Sequence, residues 1–235
     1  IKNKYDFVIN SDSKNIITKK YFNKIIKKDY NSSAFTGIMH HDEIENNTAV
    51  QIFTKYGPLA FLPLSNTKTS IVYSVEKKYH LGLKDVKKII CEFNKVYNIK
   101  KFDELEKFDL NFSFSRNIFY KNILCLGDPI HKIHPLAGQG FNMTLRDIKI
   151  LINLIDEKIN CGLEIDESLF IDFKNKIQHF NFIFATGINL INEFFILDNK
   201  LDSKISKNIF KILNKNKIFK EYSTIIADEG ININY

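Results

Sequence analysis

Two spacings of apolar residues alternate along the chain. From Phe108 to Ser115 the spacing is two. Phe108, Leu110, Phe112 and Phe114 share one side, and Asp109, Asn111, Ser113 and Ser115 share the other, which predicts a half-buried strand. Core packing is the commoner use of such an aromatic face, and lining a ligand pocket is the other. Tyr5–Ile9, Ala34–Met39, Thr48–Thr54, Pro58–Leu64 and Thr69–Glu76 are short segments, β-rich in part and bounded by polar or Gly/Pro stretches. They predict strands, and the last four read as an antiparallel meander rather than βαβ units. Asn122–Leu126 is continuously apolar, as a strand covered on both faces is.

Elsewhere the spacing is helical. Val86, Ile89, Ile90, Phe93, Val96 and Tyr97 recur at one face and predict a helix over Lys84–Tyr97, with Cys91 at its core or boundary. A second helix begins near Gly140, with a stripe of Leu145, Ile148, Leu151, Ile152 and Ile155. Ser168–Leu197 is mostly helical. Its part from Phe180 to Leu197 is nearly apolar but carries Asn181, Asn189, Asn192 and Glu193 on a narrow face, which favours a buried or interface helix over a membrane span. Leu201–Lys220 is basic and amphipathic. A solvated lysine face is the commoner reading, and a peripheral contact with an anionic membrane is the alternative.

Composition narrows the classes. With 44% hydrophobic and 26% charged residues the 235-residue chain is globular, neither disordered nor fibrous. The net charge is +7, but only Arg116 and Arg146 among the 34 basic residues are arginines, and no basic stripe carries stacking residues. The lysine is read as diffuse, and no nucleic-acid partner is expected. Cys91, Cys125 and Cys161 form no CxxC pair, so neither a disulfide scaffold nor a zinc site is expected, and a reducing, cytoplasmic location fits. The chain starts with Ile and runs directly into a strand-like segment without a secretory apolar region, so it is expected to be part of a longer protein.

The candidate chemistry lies in NILCLGDPIHKIHPLAGQGFNMTLRD, Asn122 to Asp147. A covered strand delivers Gly127 and Asp128 to its carboxyl end, the edge where open α/β sheets bind ligands. Asp128 is suited to accept hydrogen bonds from sugar hydroxyls. The loop that follows holds Pro129, Pro135, Gly138 and Gly140 and runs into a helix whose first backbone N–H groups would face an anionic or planar ligand group. Gly138 to Asn142 would cradle it. His131 and His134 have an HxxH spacing without a third ligand type, so no metal site is expected. Gly138-Gln139-Gly140 lacks the third glycine of a dinucleotide fingerprint, since position 143 is Met.

In that segment Gly127, Asp128, His131, His134, Pro135, Gly138, Gln139, Gly140, Asn142, Arg146 and Asp147 fall in register with GDAAHxxHPxxGQGxNxxxxD. The chain thereby resembles the FAD-dependent aromatic hydroxylases, and among them the ubiquinone-biosynthesis flavin monooxygenases. Pro129 and Ile130 replace the family's alanines. Ala49–Phe53 and Gly57–Leu64 resemble its AxQxF and GPLAxLPL strands. Ser11–Lys19 stands where the family has ADGxxSxxR. Asp12 is kept, while Ser13, Ile16 and Lys19 replace Gly, Ser and Arg, so the usual turn glycine and a bidentate guanidinium are absent there. The family's strand–GxGxxG–helix for the FAD pyrophosphate is not in this chain.

The resemblance implies an α/β fold, α+β within this chain. It has a partial Rossmann-like FAD-binding portion (residues 1–20 and 119–158), an antiparallel-sheet substrate domain (21–118) and C-terminal helices (159–235). It implies FAD contacts from Gly127, Asp128, Pro135, Gly138, Gln139, Gly140, Phe141, Asn142 and Asp12, with no residue singled out as acid or base. It implies NAD(P)H as reductant, dioxygen as oxidant and a polyprenylated phenol as substrate, in a quinone-biosynthesis complex peripheral to the inner face of a membrane. The altered Ser11–Lys19 segment also keeps open a non-catalytic assembly subunit of such a complex.

Overall fold

The computed structural model describes residues 5–135 and 139–200. In chain order the elements are β1 (Val8–Asn10), α1 (Ile16–Tyr21), β2 (Ile25–His41), β3 (Val50–Thr54), β4 (Gly57–Ser65), β5 (Lys68–Glu76) and a 3-10 turn (Lys77–Tyr79). There follow α2 (Leu83–Phe93), β6 (Ile99–Phe102), β7 (Glu106–Ser115), β8 (Phe119–Tyr120), β9 (Ile123–Cys125), β10 (His131–Lys132), α3 (Gln139–Asn160) and α4 (Glu167–Lys200). The chain divides into two compact units, and the described core of the second, residues 29–111, is inserted between two segments of the first, up to 28 and from 112.

In the first unit β1 and β9 pair in parallel, with Val8 opposite Ile123 and Asn10 opposite Cys125, and β8 pairs antiparallel to β9. Neighbouring parallel strands need a crossover, and here it contains residues 29–111 of the second unit. The core gathers Phe22, Ile123, Leu124, Cys125, Leu151, Leu154, Phe170 and Phe173, each large apolar side chain contributing about 1.5–3 kcal/mol on burial. The buried stripe of α3 is Met143, Asp147, Leu151 and Leu154, while Leu145 and Ile152 are exposed. The expected stripe was therefore rotated. The period was right, but a carboxylate occupies a core position, which hydropathy alone assigns to solvent. In α4, Phe170, Phe173, Ile177, Ala185 and Ile188 are buried, while Phe182, Ile183 and Leu190 are exposed, so the nearly apolar run is not deeply buried throughout. No helix among the described residues is long and apolar enough to cross a membrane. The basic segment Leu201–Lys220 lies outside the described residues.

The second unit is built on an antiparallel sheet in the order β7-β2-β5-β4-β3, with β6 pairing the end of β2. Leu59, Phe61, Ile71, Tyr73 and Val75 form one core with Val86, Ile89 and Ile90 of α2. β2 runs from Ile25, well before the expected Ala34, and Ser32 to His40 pair with Glu76 to Lys68 of β5. Its first half is polar and largely exposed, so hydropathy does not mark it as strand; backbone pairing forms it. Along β7, Leu110, Phe112 and Phe114 are buried as the alternation predicts, but Phe108 near the strand's start is exposed. Helix α2 stops at Phe93 rather than Tyr97, because the Asn94 side-chain oxygen accepts from the Val96 and Tyr97 backbone N–H groups at 3.2 and 2.9 Å. That local turn competes with the helix ladder. Val96 is exposed, Tyr97 is buried against His41 and Phe61, and Cys91 is exposed rather than at the core. β10 pairs with the last residues of β7, His131 opposite Phe114 and Lys132 opposite Ser113.

Candidate functional site

The parallel pair fixes the position of both candidate carboxylates. β1 ends at Asn10 and β9 at Cys125, side by side, and the Leu126 N–H donates to the Asn10 carbonyl at 3.1 Å. Asp12 and Asp128 follow directly past these two carboxyl ends, and both are exposed. Two carboxylates thus stand at the edge of neighbouring parallel strands, where α/β sheets bind ligands.

The turn after β9 depends on Gly127. Its φ is +72°, and its carbonyl accepts from the Ile130 and His131 N–H groups at 2.8 and 3.2 Å. An added Cβ would find ordinary contact, 3.5 Å from the Thr144 methyl, so the left-handed backbone and not lack of room calls for glycine. The segment Asp12–Lys19 is ordered by asparagines. Asn15 caps α1 by accepting from the Thr18 N–H at 2.8 Å, and its amide donates to the Asn10 oxygen at 2.6 Å. The Asn10 amide donates to the Thr18 hydroxyl at 2.7 Å, and Asp12 accepts from the Lys14 N–H at 2.7 Å. Ser13 is not left-handed, so this turn forms without the glycine of the family pattern.

Of the remaining candidates, Pro135, Gln139, Gly140 and Asn142 are half-buried, and Phe141 is 69% exposed. Gly138 lies outside the described residues. Gln139, Gly140, Phe141 and Asn142 form the first turn of α3, whose N–H groups have no acceptor one turn earlier within the helix. The Gln139 side-chain oxygen is buried without a hydrogen-bond partner. Such an atom is costly unless a ligand or water supplies a donor.

Behind the loop lies a polar cluster that sequence reading left without a role. His131 Nε2 lies 2.8 Å from Asp147 Oδ2, and the Asn181 amide donates to both Asp147 oxygens at 2.8 and 3.0 Å. The three residues are 2, 1 and 6% exposed. A carboxylate can only accept, so Nε2 carries the proton. Its sequence signal was the single carboxylate on the buried stripe of α3. His134 is also buried, and burial pushes its imidazole down to about 4, which keeps it neutral at pH 7. The Arg146 guanidinium lies 4.5 Å from the Phe184 ring centre, a cation–π distance, and partial burial lowers its pKa. Among the described residues no group of three or more His, Cys, Asp or Glu could hold a metal ion.

No family model matches the chain. By sequence it is similar to the mitochondrial ubiquinone biosynthesis monooxygenase COQ6 of Danio rerio, 24% identical over 212 residues, which covers 72% of this chain and 44% of that protein. The Mus musculus protein of the same name is 28% identical over 165 residues, 53% of this chain and 35% of that one. The chain thus spans less than half the length of these relatives. By structure it is similar to p-nitrophenol 4-monooxygenase PnpA from Pseudomonas putida DLL-E4, with a TM-score of 0.76 at 12% identity over 97% of this chain and 60% of that one. The flavin-dependent brominase Bmp2 gives a TM-score of 0.70 at 12% identity over 96% of this chain and 57% of that one. The chain has the fold of these two enzymes, and its sequence relatives carry the name of the monooxygenases that its loop motif resembles.

Proposed function

We propose that the chain is part of an FAD-dependent monooxygenase that hydroxylates a polyprenylated phenol in ubiquinone biosynthesis, with NAD(P)H as reductant and dioxygen as oxidant. The observation that carries this reading is the placement of Asp12 and Asp128 past the carboxyl ends of β1 and β9, beside a Gly127 turn that leads toward α3. The residues present fit the ribityl and ring half of FAD. An exposed carboxylate is available for hydroxyl groups, and Gln139 keeps an unpartnered buried oxygen at the helix start. When bound, the flavin would supply the redox chemistry, taking reducing equivalents from the nicotinamide and activating dioxygen.

The work of this chain is then binding and orientation. Asp128 accepts hydrogen bonds from ribityl or ribose hydroxyls. Asp12 holds the turn after β1 against the same group. The N–H groups of Gln139 to Asn142, with the positive end of the α3 dipole, favour negative charge at the ring's pyrimidine edge. Pro135 and Phe141 offer apolar surface to the ring. In this reading the antiparallel sheet of the second unit serves the substrate. A peripheral contact at a membrane and membership of a quinone-making complex belong to the same proposal.

The test uses the full-length protein, FAD and NAD(P)H. Asp128→Ala is expected to raise the Kd for FAD and to lower hydroxylation. Undiminished FAD binding and hydroxylation in this variant would remove Asp128 from the site. The replacements Ser13, Ile16 and Lys19 favour one second reading, a non-catalytic assembly subunit. In that case Asp128→Ala weakens assembly of the complex, and the unmutated protein shows no hydroxylation to lose.

A further inference from the structure

The backbone of the segment from Gly127 to Pro135 is paired with the end of β7 at His131 and Lys132. The Ile130 carbonyl accepts from the Ser115 N–H at 2.7 Å, and Gly127 closes its own turn. Ile130 shares an apolar core with Leu151 of α3 and Phe173 of α4, and the His131 side chain adds a polar link to both long helices. Its Nε2 reaches Asp147 on α3, and Asp147 is held in turn by Asn181 on α4. The ring and the carboxylate are 0 and 1% exposed, and His131 Nδ1 has no hydrogen-bond partner. Apolar side chains of similar volume would pack there about as stably. What three polar groups add is one ring orientation, which ties a backbone already paired with β7 to both helices as well.

We infer that Asp147, His131 and Asn181 are positioning residues that set the Gly127–Pro135 loop and the first turn of α3 for the flavin, with α4 coupled to the site through Asn181. The inference rests on the flavin reading above. Asp147 is the hub, because its two oxygens receive the loop histidine and the α4 amide together. Losing the Asn181 donor leaves a buried oxygen under-satisfied and frees the carboxylate to turn. The His131 ring then loses its reference, and the loop loses its polar tie to α3 and α4.

The experiment measures FAD affinity and the visible absorption and circular dichroism of bound flavin in the full-length protein. It compares Asn181→Leu and Asp147→Asn with Leu151→Ala, a deletion in the same α3 core that removes no polar group of the cluster. Unfolding midpoints are recorded for all. The Kd for FAD is expected to rise roughly 10- to 100-fold in the two cluster variants, the range seen when hydrogen-bond partners behind a ligating group are removed, with an altered flavin spectrum. Leu151→Ala should bind as the unmutated protein does despite a lower midpoint. Should Asp147→Asn not fold, Asn181→Leu decides alone. Unchanged affinity and spectrum in the cluster variants would overturn the positioning role, as would an affinity loss that only tracks the midpoints of all three. An unmutated protein that does not bind FAD would overturn the flavin reading itself, and this inference with it.

Discussion

Asn10 and Cys125 face each other at the ends of the two parallel strands, and the Asn10 amide donates both to the Cys125 sulfur at 3.8 Å and to the Thr18 hydroxyl at 2.7 Å. One side chain thus joins β1, β9 and α1 directly behind the candidate carboxylates. The thiol is buried, and burial pushes it up to about 12, so at neutral pH it is a packed group and not a nucleophile.

Thiol reactivity should divide accordingly. Cys91 and Cys161 are exposed and Cys125 is buried. A colorimetric thiol reagent at pH 8 is expected to label Cys91 and Cys161 in the native protein and Cys125 only after unfolding. Rapid native labelling of Cys125, read by peptide mass, would contradict the packing at the strand ends. The same burial makes alkali destabilising. The unfolded thiol titrates near 9 while the folded one stays protonated to about 12. Stability should therefore fall as pH rises through that window.

Acid should act through His134. Its value falls from 6.5 to about 4 in the folded state because burial penalises the charged ring. Between those values the unfolded chain binds the extra proton, so stability is full above about 6.5 and is lost as pH falls toward 4. The full loss is on the order of 3 kcal/mol, from about 1.4 kcal/mol for each unit. Urea denaturation from pH 7 to 4.5 should show this slope, and His134→Gln should flatten it.

Two glycines should differ sharply in tolerance. At Gly57, with φ +140°, an added Cβ would stand 2.2 Å from the Ser74 carbonyl oxygen. Gly57→Ala should break the β3–β4 turn and cost more than about 3 kcal/mol, the cost of backbone strain alone being about 1–3. At Gly127 there is room for the methyl group, so Gly127→Ala should cost about 1–2 kcal/mol for a left-handed alanine. Thermal unfolding of the two variants checks the order.

Asp147→Ala removes the acceptor of two buried donors. Each orphaned donor costs about 1–3 kcal/mol, so denaturation should show a loss of about 2–6 kcal/mol. The double variant Asp147→Ala with Asn181→Ala should lose less than the sum of the single changes, since both remove the same contact.

Parts of the fold with local signals were legible in the chain. The strict alternation of Leu110, Phe112 and Phe114, the apolar run at Ile123–Cys125 and the glycine and proline punctuation around Asp128 correspond to strands and to a strand-end turn. The register of Asp128, Pro135 and Gly140 with one family's motif needed no coordinates. Other features arise only from long-range contacts. The first half of β2 is polar, and it is a strand because a backbone partner exists. The face of α3 that turns inward is fixed by Asp147, whose burial is tolerable only because His131 and Asn181, distant in sequence, supply donors. The adjacency of Asp12 and Asp128 follows from the parallel pairing of β1 with β9 across more than a hundred residues of intervening chain. Hydrophobic periodicity records which side of an element is buried on average. It carries no record of which distant polar group will meet another there, and that meeting places the candidate site.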